Sequence, residues 1–212
     1  MPSVTSSDRP RVSAQPNGWP VRRMPRWLLL AGALFLAAAV AVALVHRPST
    51  AERASDMTGF LQEVNADIES CSGGVAESLT ALHQVQADNY SNSSDVSDGA
   101  SVASEGAQNC EPANNEEIDD LENYQVPESL DSFGLVGAVT NLVTWAVPDA
   151  ERVQTDIALI LSSSTPQARS SAQENLSRDL DTLNAQRAKI EAPIAKAIKA
   201  LHMHASPPRL AG

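Results

Sequence analysis

Residues 27–45 read WLLLAGALFLAAAVAVALV, nineteen consecutive residues without a charge or a strongly polar group. As a helix rising 1.5 Å per residue, such a run is about 28 Å long, close to the hydrocarbon core of a bilayer. A buried helix of a soluble domain rarely reaches that length without one polar side chain. Trp27 stands at its leading edge, where an amphipathic ring favours the headgroup region. The stretch is therefore read as a transmembrane signal-anchor helix.

Charge on either side sets the orientation. Arg9, Arg11, Arg22, Arg23 and Arg26 precede the run against the single acid Asp8, whereas residues 46–212 hold 10 bases and 25 acids. The positive-inside rule places the N-terminus in the cytoplasm and the C-terminal domain outside it. Residues 1–26, rich in Pro, Ser and Arg, are expected to be a disordered basic cytoplasmic tail. The apolar run exceeds the core of a cleavable signal peptide, which spans about 7 to 15 residues. The small-x-small pattern at Ala41–Ala43, the Arg22–Arg23 pair and a second start at Met24 keep a cleaved, secreted form open. Both readings put the domain in an extracytoplasmic space.

Beyond the membrane lie about 165 residues, enough for one domain with a modest core. No run alternates apolar and polar with the period of a strand; apolar residues recur at helical spacing instead. The expectation is all-α: an antiparallel bundle of about four main helices over residues 46–205, followed by a disordered tail at 206–212. Ser49 and Glu52 form a capping-box pattern that opens the first helix. Met57, Leu61, Val64, Ile68, Cys71, Val75, Leu82 and Val85 then step along one face, with Ser78 the single break, until DNYSNSSD at 88–95 supplies a turn. A second helix carries Val96, Ala100, Ala103 and Ala107 and closes at Cys110, before Pro112.

The stretch ESCSGG at 69–74 places two glycines inside the first helix, which together cost about 2 kcal/mol relative to alanine. Cys71 explains them. In an antiparallel hairpin, opposed residues are equidistant from the turn, and the midpoint of Cys71 and Cys110 falls between Tyr90 and Ser91. Both cysteines lie on the apolar stripe of their own helix. Outside the cytoplasm such a pair is read as a disulfide, worth about 4 kcal/mol by the chain-entropy argument. Small residues beside Cys71 let the two backbones approach to bridging distance.

The acidic stretch 111–131 is expected to hold a short helix near Glu116–Tyr124. The apolar stretch 133–147 is expected to supply the central helix of the core, the alternative being a second membrane span. Pro148 either kinks that helix or opens the next, and Val153, Ile157, Ile160 and Leu161 form a further face. Thr165 and Pro166 open the last helix, whose stripe runs from Leu176 to Leu201 and which Pro193 should kink or divide.

Charge is unevenly distributed. Residues 52–131 contain 18 acids and one base, whereas Arg187, Lys189, Lys196 and Lys199 cluster near the end of the last helix. The acidic face is expected to be solvated surface; the alternatives are that the last helix packs beside the acidic hairpin, or that the face meets a cationic partner. Nucleic acid is not an expected partner of so acidic a domain. EEIDDLE at 116–122 lacks the acid spacing and glycine of a calcium loop. His202 and His204 have no third zinc ligand nearby in sequence, and His83 is read as an ordinary helix residue. Asn89, Asn92 and Asn175 head N-x-S sequons, which matter only in a glycosylating pathway.

No nucleophile-elbow, zincin, dinucleotide-binding, phosphate-loop or haem-attachment motif is found. Neither catalytic, cofactor nor metal residues are assigned, and the chain is not expected to be an enzyme. The functional expectation is a single-pass membrane protein with a structural or protein-interaction role at the cell envelope. The competing expectation is an extracytoplasmic sensor of a small ligand or metal.

Overall fold

The computed structural model describes residues 48–209. The expected tail at 1–26 and anchor at 27–45 lie outside the described residues, as does the end of the chain from 210. Every regular element among the described residues is helical. No described helix is long and apolar enough to cross a membrane, so the alternative of a second span at 133–147 is set aside.

Helix α1 runs Thr50–Ala87. The Ser49 hydroxyl accepts the Glu52 N–H at 3.1 Å, and the Glu52 carboxylate accepts the Ser49 N–H at 3.3 Å, closing the expected capping box. The expected stripe is buried along its whole length, widened by Phe60, and Ser78 is buried with it. The helix ends in a tight turn in which Asn89 (φ 50°) and Tyr90 (φ 57°) are both left-handed. The Tyr90 N–H returns to the Val85 carbonyl at 2.9 Å and satisfies a group the helix end leaves open.

Helix α2, Ser93–Gln108, begins at Asn92, whose side chain accepts the Ser94 N–H. Its buried face consists of Gly99, Ala103 and Gly106. With so little side chain between them, α1 and α2 approach closely. Helix α3, Glu116–Glu122, follows, fastened by the Asn115 amide to Ser70 Oγ (2.9 Å) and to the Asn109 carbonyl (2.6 Å). It buries Ile118 and Leu121. A 3₁₀ turn at Glu128–Phe133 ends at Gly134, whose φ of 74° glycine adopts without steric cost.

From Leu135 to Ser162 the chain is helical throughout, as α4 (Leu135–Asn141), a π turn (Leu142–Ala146) and α5 (Val147–Ser162). In the π turn the Val147 N–H reaches back five residues to the Leu142 carbonyl. Pro148 follows at once. Its ring has no N–H and would collide with the carbonyl four residues back in a regular helix, so the ladder widens where the proline enters.

The central helix is not 133–147, as expected, but α5, which packs on α1, α2 and the last helix, α6 (Pro166–Ala200). Val136 and Trp145 in the more apolar stretch stay 56% and 52% exposed, while α5 buries Asp149, Gln154 and Asp156 beside its apolar residues. Apolar content is a poor guide here because α5 is enclosed on several sides, and some of its polar residues find partners inside the bundle.

Helix α6 begins as expected, with Thr165 Oγ1 accepting the Ala168 N–H at 3.3 Å. It continues through Pro193 without dividing. Its main neighbours are α4 and α5 rather than the acidic α1–α2 hairpin. Residues 203–206 return along α1, where Met203, His204 and Ala205 share a cleft with Thr58, Leu61 and Asn65. Pro208, within the stretch expected to be disordered, is buried.

Candidate functional site

Cys71 and Cys110 form a disulfide with their Cα atoms 4.7 Å apart. Both are buried, at 0% and 1% exposure. The backbone approach that the bridge needs is supplied by glycine, though not by both glycines of the ESCSGG stretch. A β-carbon on Gly73 would meet nothing within 4 Å, whereas one on Gly74 would lie 2.9 Å from Gly106 Cα and 2.7 Å from Gln154 Oε1. Gly74 and Gly106 are thus a matched pair across the α1–α2 seam, and α5 inserts the Gln154 amide into the notch they leave.

Gln154 is wholly buried. Its Nε2 donates to Cys110 Sγ at 3.1 Å and to the Ala150 carbonyl at 3.4 Å, and its Oε1 lies 3.5 Å from Ser78 Oγ. The Ser78 hydroxyl donates to the Gly74 carbonyl at 2.6 Å. Three helices therefore meet at one polar node built on the disulfide. The break at Ser78 in the apolar stripe was its one trace in the sequence; Gln154 left none, because a glutamine on an amphipathic helix normally faces water.

A second feature lies on the α1–α3 side. Asp67 sits among Glu63, Asp120 and Glu117; partial burial first, and then these three carboxylates, push its pKa up to about 6. Tyr124 stacks its ring at a tilt on Phe60, centroids 5.9 Å apart. Burial and the charges of Glu63, Asp67 and Asp56 raise its phenol above the ordinary value. On the other side Tyr124 lines a cleft of about 390 Å³ together with Leu121, Val126, Val136, Val139 and Val143. Glu122, Gln125, Thr140 and Thr144 form its polar edge. An apolar cleft and a strongly anionic surface meet at one residue.

A third feature joins α5 to α6. Burial and the facing Asp179, which hydrogen-bonds to it, push the pKa of Asp156 up to about 6, with Arg178 opposing. Asp156 Oδ2 is buried without a hydrogen-bond partner.

The acids of EEIDDLE spread along α3, with Glu116, Glu117, Asp119, Asp120 and Glu122 exposed. His83, His202 and His204 are exposed. Among the described residues, no group of three or more His, Cys, Asp or Glu side chains is placed to hold a metal ion. The salt bridges Arg152–Asp149 and Arg187–Glu191 both lie outside the acidic stretch 52–131. No family model matches the chain, and comparison with curated proteins and with solved structures gave no match.

Proposed function

We propose that the protein is a single-pass membrane protein whose helical domain acts outside the cytoplasm as a structural or protein-interaction module of the cell envelope. In this reading residues 27–45 cross the bilayer and hold the domain near its outer surface. The observation that carries it is the buried Cys71–Cys110 disulfide, since such bonds persist in oxidising compartments and are rare in the cytosol. The basic flank before residue 27 and the acidic residues after 45 support the same orientation. An interaction role is favoured by the exposed acidic surface of α1–α3 and the cleft beside it.

Three measurements test the proposal together. Protease added to intact cells should digest the domain, and mass spectrometry of the native N-terminus should find residues 27–45 retained. Crosslinking in intact cells should then capture envelope proteins. A domain protected until cells are opened, or captures that stay empty at every crosslinker position, would sink it.

A further inference from the structure

The cleft beside Tyr124 is an apolar trough with an anionic margin, and that combination selects its occupant. Val136, Val139 and Val143 come from α4 and its π turn, spaced three and four residues apart, so they present one face over about two helical turns. Leu121 and Val126 close the opposite wall. Val136 is 56% exposed, and the lining residues Glu122, Gln125, Thr140 and Thr144 are exposed too. The trough is therefore open along one side, with Leu121 and Val139 among its buried lining.

Its surroundings carry negative charge. Glu122 is on the edge itself. Across Tyr124 lie Asp56, Glu63 and Asp67 of α1, and Glu117 and Asp120 of α3 adjoin Asp67. Arg53 is the only base in residues 52–131, the stretch that supplies these carboxylates.

We infer that this trough is the docking site for a cationic amphipathic segment of another protein, its apolar side chains seated against Val136, Val139 and Val143 and its Lys or Arg residues on the carboxylates around Tyr124. Amphipathic helices dock in grooves in this way, through apolar anchors at i, i+3, i+4 and i+7. Charge argues against the other occupants. A second copy would bring the same anionic margin onto itself across a symmetric interface, and residues 46–212 carry 25 acids against 10 bases. An anionic lipid surface is repelled for the same reason. The inference rests on the interaction role proposed above and names the chemistry of its partner.

The test uses the full chain in zwitterionic nanodiscs, with empty discs as the blank, and a labelled synthetic Leu/Lys amphipathic helix as the probe. A Leu/Glu helix of the same pattern is the control. The Leu/Lys helix should bind and the Leu/Glu helix should not. Raising salt should weaken the complex, as for exposed charges. Val136→Asp, at an exposed position, should weaken it roughly 5-fold to 10-fold by removing an apolar anchor, and Glu122→Lys roughly 3-fold by reversing an edge charge. Equal binding of the two probes, or unchanged affinity in both variants, overturns the inference. So does a chain dimer lost in Val136→Asp, because a second copy then covers the trough. Envelope captures that persist while the Leu/Lys helix fails to bind overturn this inference alone; probe binding with empty captures supports it and removes the broader role.

Discussion

Gln154 Oε1 occupies the space that a β-carbon on Gly106 would need: the two would lie 1.8 Å apart. An amide from α5 is thereby let into the seam between α1 and α2, next to the disulfide that joins them. Its Nε2 takes the Cys110 sulfur as an acceptor, which gives a buried polar group a partner where an unpaired one costs about 1 to 3 kcal/mol. The covalent bridge and the third helix are coupled through this one side chain.

Gly106→Ala should therefore destabilise the domain by roughly 1 to 3 kcal/mol, as an overpacked core does. The cost should shrink when Gln154→Ala is made as well, since the added methyl then enters vacated space. Gly73→Ala, with nothing within 4 Å of the new β-carbon, should instead stabilise by about 0.5 to 1 kcal/mol. Urea unfolding of the wild type, the three single variants and the Gly106→Ala, Gln154→Ala double variant checks all three outcomes.

Reduction of Cys71–Cys110 releases a loop whose ends are 39 residues apart. The chain-entropy argument sets the loss at about 4 kcal/mol. Gln154 Nε2 loses a geometrically fixed acceptor at the same time. Unfolding of the Cys71→Ser, Cys110→Ser double variant should shift to lower urea by a corresponding amount, while reductant should leave the variant itself unaffected. A shift that reductant reproduces in the variant would point to a cause other than the bridge.

Asp156 and Asp67 both have pKa values raised from 3.8 to about 6 in the folded protein, Asp156 by burial and then Asp179, Asp67 by burial and then Glu63, Asp120 and Glu117. The native state holds these protons more tightly than the unfolded chain. The resulting stabilisation is complete below about pH 4 and is lost as pH rises through about 6. Asp156→Asn replaces the charged form with a neutral donor that can still reach Asp179. It should raise stability by about 1 to 2 kcal/mol near pH 7.5, with the gain vanishing toward pH 4. Unfolding curves across that range decide the matter, and a gain independent of pH would exclude the paired carboxyls as its source.

The turn after α1 is held from outside. The Arg169 guanidinium lies 3.9 Å above the Tyr90 ring centroid and donates to the Ser163 carbonyl at 3.0 Å. Tyr90 is left-handed, a conformation that costs a non-glycine residue about 1 to 2 kcal/mol. Arg169→Ala should lower stability by roughly 1 to 2 kcal/mol through the lost cation–π contact and hydrogen bond. Tyr90→Phe keeps the ring and removes a hydroxyl that is buried without a hydrogen-bond partner, so it should instead raise stability by about 1 to 3 kcal/mol. Thermal unfolding separates the two.

Helix caps at Ser49 and Thr165, the buried stripe of α1 and the pairing of Cys71 with Cys110 could all be read from the chain. Each depends on short-range spacing or on the symmetry of a hairpin about its turn, and both survive in one dimension. The negative charge around Tyr124 was legible as composition, but not its position beside an apolar trough, because α3 and α4 must fold against one another to make the trough. Folding alone placed Gln154 in the Gly74–Gly106 notch, set Asp156 against Asp179 and made α5 the enclosed helix. A polar side chain is buried where a partner from another helix awaits it, and no periodicity along a single helix records where that partner will be.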